Sequence, residues 1–334
     1  MPTLMKKSIF ITGASGFIGS HLTEKLLKRG YKVTALVPYD INSSKGWLKK
    51  VQNVNLKIIP GDICDENFIL KNTKNFYAII HLAALISIPY SYASPKSFIK
   101  TNIEGTYSIL EAGRKNNIKK IIHTSTSEVY GSAQYSPIDE CHPLNPQSPY
   151  AATKVAADSL ALSYYRSFDL PVTIIRPFNT FGPRQSSRAV ISTIISQLLT
   201  DNKKLLIGNI NTKRDFTFVD DTVDGYIQLL ESKKNLGGEV INLGTGSTVS
   251  IKKIIETVCD ILSINPKLIR DKKRFRPIKS EVKLLISQNK KAKKLLNWKP
   301  KYIGQKGLNQ SITLTIDWFK DNADSLSNAK DYKM

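Results

Sequence analysis

The chain has 334 residues, enough for one large or two modest domains, and 41% of them are hydrophobic, as in a soluble globular protein. It contains no run of about 18 apolar residues, which excludes a membrane-spanning helix, and its three scattered cysteines (Cys64, Cys141, Cys259) argue against a disulfide framework and for a reducing cytoplasm. The formal charge of +22 is spread along the chain without zinc-finger, RNP or basic-helix patterning, so nucleic acid is not the expected partner; part of it can help attract a polyanionic substrate.

The near-terminal stretch Ile9-Phe10-Ile11 is too short for a secretory h-region and is interrupted by Gly13; Ser8–Thr12 reads instead as a first strand. A glycine turn and a helix over Phe17–Arg29 follow, with Gly30 just past the helix end. Strands are expected at Lys32–Val37, Leu56–Ile59 and Ala78–Leu82, and a long helix over Phe98–Asn116. Ile121–Ser125 reads as the fifth strand, Tyr150–Phe168 as a second long helix, and Val172–Arg176 as the sixth strand, stopped by Pro177. This alternation predicts an α/β fold with a doubly wound, mostly parallel Rossmann sheet. After Pro177 the pattern shortens into loops and small helices, with one more buried strand at Val240–Leu243. A Rossmann domain over 1–178, rejoined by about 215–245, is therefore expected beside a smaller, discontinuous C-terminal substrate region over 179–214 and 246–320, with a polar tail over 321–334.

Gly13-Ala-Ser15-Gly16-Phe17-Ile18-Gly19 stands between the first strand and the first helix. Glycines there permit a tight turn and close backbone approach, and the helix start offers N–H groups to a pyrophosphate. Asp62-Ile63, past the third strand, can meet an adenine; Leu82-Ala83-Ala84, past the fourth, can line the cofactor channel with mostly small side chains. The place of the acid that bonds the ribose hydroxyls is held by Val37, with Asp40 as the nearest acid that could reach back, and no arginine stands there for a 2′-phosphate. NAD is thus expected over NADP. His21, His81, His123 and His142 lack metal-ligand spacing, and no metal is expected.

Tyr150 and Lys154 lie one helical turn apart on one face. A cation beside a phenol favours the phenolate, which can take a proton from a substrate hydroxyl. Glu128, in Thr126-Ser127-Glu128, adds a carboxylate that simple alcohol oxidation does not need.

These residues resemble the extended short-chain dehydrogenase/reductase family, the NAD-dependent epimerases and dehydratases. The resemblance runs through Gly13–Gly19, Asp62-Ile63, His81–Ala84, Tyr150–Lys154, Arg176–Pro183 and Lys213–Asp220. Within it, Ser125–Gly131 is similar to nucleotide-sugar 4,6-dehydratases and UDP-glucuronate decarboxylases. Ala84–Tyr92 and His123–Tyr135 are most similar to the N-acetylglucosamine 4,6-dehydratases of legionaminic acid biosynthesis, enzymes of surface-polysaccharide assembly. The resemblance implies a UDP- or GDP-linked sugar as substrate, tightly bound and recycled NAD, and a homodimer joined by a four-helix bundle of the two long helices. It also implies diphosphate contacts at Arg214 and Arg276, a substrate contact at Asn179, and Arg188 as a further cation; Ser87 and Tyr90 suit hydroxyl or acetamido groups.

On this reading Tyr150, assisted by Thr126 and Lys154, removes the C4 hydroxyl proton as hydride leaves C4. Glu128 takes the C5 proton, water leaves C6, and the hydride returns to C6. Members with an Asp before the Glu have an evident acid for the leaving water; Ser127 cannot be one, so Glu128 passes its proton on, or Ser127 and a water relay it. Ser127 also keeps open a UDP-glucuronate decarboxylase, although no arginine lies in the Ile86–Tyr92 loop to receive a carboxylate. A 4-epimerase has no need of Glu128, and a non-catalytic nucleotide-sugar sensor would yield no product.

Overall fold

The computed structural model describes residues 7–39, 45–282 and 284–322. Asp40 and residues 323–334 of the polar tail lie outside that range. In chain order the first half runs β1 (Ser8–Thr12), α1 (Phe17–Lys28), β2 (Lys32–Val37), β3 (Leu56–Pro60), α2 (Glu66–Asn72), β4 (Ala78–His81), α3 (Ile88–Ala93), α4 (Pro95–Phe98), α5 (Gly105–Lys115), β5 (Lys120–Thr124), α6 (Pro149–Phe168) and β6 (Val172–Pro177). The second half adds β7 (Thr180–Phe181), α7 (Val190–Thr200), β8 (Lys204–Ile207), β9 (Lys213–Arg214), β10 (Thr217–Phe218), α8 (Val219–Glu231), β11 (Val240–Leu243), β12 (Val249–Ser250), α9 (Ile251–Leu262), β13 (Lys267–Arg270), β14 (Leu284–Leu285), α10 (Lys290–Leu296) and α11 (Gly304–Asp321).

Seven strands form one parallel sheet in the order β11-β6-β5-β4-β1-β2-β3. Its strands are near-continuous apolar runs because helices cover both faces. The pleat divides β1 between two cores: Ile9 and Ile11 join α1, α7, α8 and α9 on one side, while Phe10 joins α2, α5 and α6 on the other. The strand order reverses between β1 and β4, so a crevice opens beyond their C-terminal ends, where such sheets take their ligands. The strand β11, which follows α8, returns to pair with β6, Val240 opposite Ile174 through Leu243 opposite Pro177.

Two helices are shaped by their ends. α1 starts after Gly16 and stops before Gly30, whose φ of +74° closes the turn without a Cβ penalty. α6 starts at Pro149, its first turn capped by Ser148 Oγ accepting from the Ala151 amide at 3.1 Å. The long helix expected over Phe98–Asn116 is instead broken: α4 passes into a π-helical turn, Ile99–Glu104, before α5 begins. The wider turn accommodates Asn102, whose side chain leaves the helix to bind the backbone of Leu85 through Oδ1 (2.8 Å, from the amide) and Nδ2 (3.0 Å, to the carbonyl).

Candidate active site

The glycine turn is built for close approach. Gly13 has φ +67°, and a Cβ there would lie 2.8 Å from the Ala83 nitrogen; at Gly19 it would strike the Gly13 carbonyl. The turn therefore rests on the end of β4, and α1 begins with the Gly16 amide bonded to Gly13 O (3.1 Å), no side-chain cap and no acidic residue in its first turn. Its free N–H groups and positive dipole end face the crevice, which fits a pyrophosphate. Phe17 and Ile18 are half-buried on the first turn, and Ser15 offers its carbonyl to the Trp47 amide at 3.3 Å. Beside them, half-buried Leu82, Ala83 and Ala84 leave a shallow floor, Ile63 is buried against Gly105, and Asp62 is exposed with Oδ1 on the Cys64 amide at 2.9 Å. The donor set fits NAD.

A relay that the sequence did not disclose fixes this floor. Thr12 Oγ1 accepts from the amides of Leu82 (3.2 Å) and Ala83 (3.1 Å), so its proton goes to His81 Nδ1 at 2.8 Å. Thr106 Oγ1 donates to Asn102 O (2.7 Å) and so accepts from His81 Nε2 at 3.1 Å. The bonding fixes His81 as the neutral Nε2–H tautomer. Burial, with the charges of His123 and Lys154, holds its pKa well below the usual value. His81 is a packed structural histidine.

The chemistry-bearing groups meet one layer further along the sheet. β5 delivers Ser125 and Thr126, and the 3₁₀ turn Ser127–Tyr130 follows with Thr126 Oγ1 accepting from the Glu128 amide at 3.2 Å. The first turns of α6 present Tyr150 and Lys154, both buried. The Thr126 hydroxyl lies close enough to the Tyr150 phenol to favour its ionised form. Burial raises the Tyr150 pKa, and the Glu128 and Asp158 charges add to that, against the Thr126 hydroxyl. This corrects the expectation of a phenol lowered by Lys154: in the free protein the tyrosine is held firmly as the phenol. The cause is the burial of the phenol itself; Lys154, equally buried, is lowered from 10.5 to about 8 by that burial while Asp158 partly restores it.

Under this pair runs a buried polar network. Asp158 Oδ2 accepts from Ser125 Oγ (2.7 Å), Arg176 Nε (3.1 Å) and an Arg176 terminal nitrogen (2.9 Å), and Oδ1 lies 3.3 Å from His123 Nε2. Burial would raise the Asp158 pKa, but His123, Arg176 and Lys154 outweigh it and hold the acid ionised. Arg176 also donates to the Tyr130 hydroxyl (2.9 Å), which donates to Asn242 Oδ1 (2.8 Å) on β11. Asn102 closes the network from the other side, donating to Thr153 Oγ1 at 3.1 Å, one residue from Lys154. The one sequence signal for Asn102 is an amide among the apolar positions of a helix.

On the substrate side, Glu128 is 9% exposed and its Oε2 is 3.6 Å from an Arg276 terminal nitrogen. Arg214, buried on β9, is close enough for the Glu128, Arg276 and Glu281 charges to act on it; burial lowers its pKa, and it pairs with Glu281 at 3.4 Å. Asn179 Oδ1 is buried without a hydrogen-bond partner, which leaves it for a ligand, and the Arg276 nitrogen that faces Glu128 makes no hydrogen bond there beyond that 3.6 Å ion pair. Tyr90 packs on Phe98 (ring centroids 5.9 Å) and Phe98 on Tyr150 (6.2 Å), so Tyr90 belongs to the wall beside the phenol. Ser87 caps α3, accepting from the Tyr90 amide at 3.4 Å. Ser127 is buried beside Glu128. Arg188 stays exposed in the loop before α7, and no contact joins it to the other site residues among the described residues. Among the described residues no group of three or more His, Cys, Asp or Glu could hold a metal ion, and no helix is long and apolar enough to cross a membrane.

Residues 10–311 match the family model described as GDP-mannose 4,6 dehydratase. A human dTDP-D-glucose 4,6-dehydratase is 30% identical over 351 residues, covering 99% of this chain and 95% of its own. A UDP-N-acetyl-alpha-D-glucosaminuronate decarboxylase of Bacillus cytotoxicus is 32% identical over 329 residues, 95% of this chain and 99% of its own. Among solved structures, the UDP-glucuronic acid 4-epimerase of Bacillus cereus, crystallised with a fluorinated UDP-glucuronic acid and NAD, superposes with a TM-score of 0.86 at 31% identity, over 94% of this chain and 99% of that one.

Proposed function

Since the chain belongs to the extended short-chain dehydrogenase/reductase family of NAD-dependent nucleotide-sugar epimerases, dehydratases and decarboxylases, we propose that it is a nucleotide-sugar 4,6-dehydratase. Its proposed substrate is N-acetylglucosamine linked to UDP or GDP, and its product the 4-keto-6-deoxy sugar. The observation that carries this reading is Glu128: a nearly buried carboxylate in the same pocket as Thr126 and Tyr150. NAD, when bound, supplies the hydride acceptor and donor, with a positive charge in its oxidised form. Gly13, Gly16, Gly19 and the start of α1 would hold its pyrophosphate, and Lys154 would hold its nicotinamide ribose.

With Tyr150 first ionised, its own proton lost to solvent under the positive charges of Lys154 and of oxidised NAD, Thr126 and Tyr150 would share the C4 hydroxyl, whose proton passes to the Tyr150 oxygen as C4 becomes a ketone. The ketone acidifies the C5 proton. Glu128 accepts that proton and delivers it to the departing C6 hydroxyl, so one carboxyl acts as base and then as acid. This disposes of the need for an acid at Ser127. The hydride would then return to C6 and a proton from solvent would go to C5 while Tyr150 releases the one it took from the C4 hydroxyl, so that the net change is the loss of one water with no cofactor consumed. Arg214 and Arg276 neutralise the diphosphate, in forked contacts that suit a guanidinium.

One observation supports a second reading. Arg276 already stands 3.6 Å from Glu128, and turned to the sugar rather than to the diphosphate it could receive a uronate carboxylate, the cation the 86–92 loop lacks. That geometry favours a UDP-uronate decarboxylase or 4-epimerase. Incubation with UDP- and GDP-N-acetylglucosamine and with UDP-glucuronate, read by product mass, separates them. Loss of one water from an N-acetylglucosamine nucleotide is expected. Loss of carbon dioxide from the uronate, or an isomer of unchanged mass, establishes the second reading, and no product from any of the three overturns both.

A further inference from the structure

Two turns that are distant in sequence meet at the sugar end of the site: 128–132, which carries Glu128, and 276–280, which carries Arg276. Gln147, just before α6, binds both. Its Oε1 accepts from the Ser132 amide (2.6 Å) and the Ser132 hydroxyl (2.9 Å), and its Nε2 donates to Lys279 O at 2.8 Å. Ser280 completes the bridge. Its hydroxyl donates to Gln147 O at 2.6 Å, a carbonyl that can only accept. The Ser280 proton is thereby committed, so the Tyr92 hydroxyl at 2.5 Å must be the donor to Ser280 Oγ. The chain Tyr92 to Ser280 to Gln147 thus links α3, the Arg276 turn and the start of the proposed catalytic helix, α6. Ser280 is 9% exposed, so these bonds are made away from most competing water.

We infer that the Tyr92–Ser280–Gln147 clasp is a positioning device: it places the Arg276 guanidinium against Glu128, and it must be intact for the site to act on the C5–C6 end of the sugar. Ser280 is a positioning residue, since it acts through Arg276 and touches no reacting atom. Arg276 stands four residues before Ser280, and Glu128 four before Ser132; among the described residues the 3.6 Å ion pair is the one direct polar contact between the two turns, while Val129 and Tyr130 pack with Val282 in an apolar cluster that carries no directional hold on the guanidinium. A pair at that distance and exposure is too weak to order two loops alone. The inference rests on the placing of Arg276 in the substrate site, and its test has one arm that needs no substrate.

In the unliganded protein, hydrogen exchange of the amides in 276–282 should quicken about tenfold in Ser280→Ala and Tyr92→Phe and stay at the wild-type rate in Ser280→Thr. Unchanged exchange in the first two variants overturns the clasp. In the second arm, kcat/KM for the nucleotide sugar that the wild type turns over should fall about tenfold in Ser280→Ala, recover in Ser280→Thr, and show no further fall when Ser280→Ala is added to Arg276→Ala. A full additional tenfold loss in the double variant would mean that Ser280 acts independently of Arg276, against the inference. If no nucleotide sugar is turned over, the proposed function fails while the exchange measurement still decides the clasp.

Discussion

Burial sets Lys154 at about 8, well under its ordinary 10.5. As pH rises through that value the ammonium loses its proton, and with it the positive charge that, together with that of oxidised NAD, would have to offset the burial of Tyr150 for the phenol to ionise. We expect kcat/KM to fall above pH 8, by about tenfold per unit when one group controls the limb; a profile flat to pH 10 would show that the charge of Lys154 is dispensable. Tyr150→Phe should cost about 10²–10⁴-fold in kcat, the range of a positioned acid–base group. Glu128→Gln separates the two halves of the proposed cycle. It should still oxidise C4, so that reduced cofactor and 4-keto sugar accumulate in the absorbance trace while water loss stops; C6 elimination at the wild-type rate would remove Glu128 from the mechanism. Glu128 and Tyr150 could be singled out from the sequence because their chemistry is rare at that spacing. The direction of the Tyr150 shift could not, since it depends on how deeply α6 seats the phenol and, less, on the charges of Glu128 and Asp158, the second held ionised by His123 and Arg176 from the neighbouring strands.

Among the elements, the sheet strands were legible because parallel strands covered on both faces are short apolar, β-branched runs, as in Ile9–Ile11 and Ile121-Ile122. The long helix before β5 was legible as helical but not as interrupted. What breaks it is Asn102, and its partners, Leu85 and Thr153, lie on other segments, so no local pattern reports the π turn. This turn ties the cofactor channel to the catalytic helix. Asn102→Ala would leave the Leu85 amide and carbonyl without these partners, each lost buried bond costing about 1–3 kcal/mol. We expect a lower urea midpoint together with a reduced kcat, and near-normal values of both would show that α5 and α6 hold the site without it. The meeting of Arg276 with Glu128 was likewise unreadable, since the two arginines of the substrate side reach the pocket through short strands and turns whose register only the assembled fold defines.

For the whole molecule, the dispersed charge and the family resemblance together favoured a small anionic substrate over nucleic acid. The resemblance also led to a proposed homodimer through the two long helices. α5 and α6 pack on one another within the chain, and Tyr107 and Phe168 remain 37% and 52% exposed on them. Sedimentation equilibrium should show a dimer that Tyr107→Asp with Phe168→Asp weakens; a monomer at all concentrations would refute the bundle. A second consequence comes from β11. Because the strand that completes the sheet beside β6 is made after α7 and α8, the nucleotide-binding half is not a detachable module. A chain cut after Phe178 would expose the apolar flank of Ile174 and Ile175 as an unpaired sheet edge, an invitation to aggregation. It should be insoluble alone, yet rescued when 179–334 is supplied as a separate fragment. During synthesis, too, the fold cannot close until most of the chain has emerged, so the two halves of this protein are bound to a common fate from the ribosome onward.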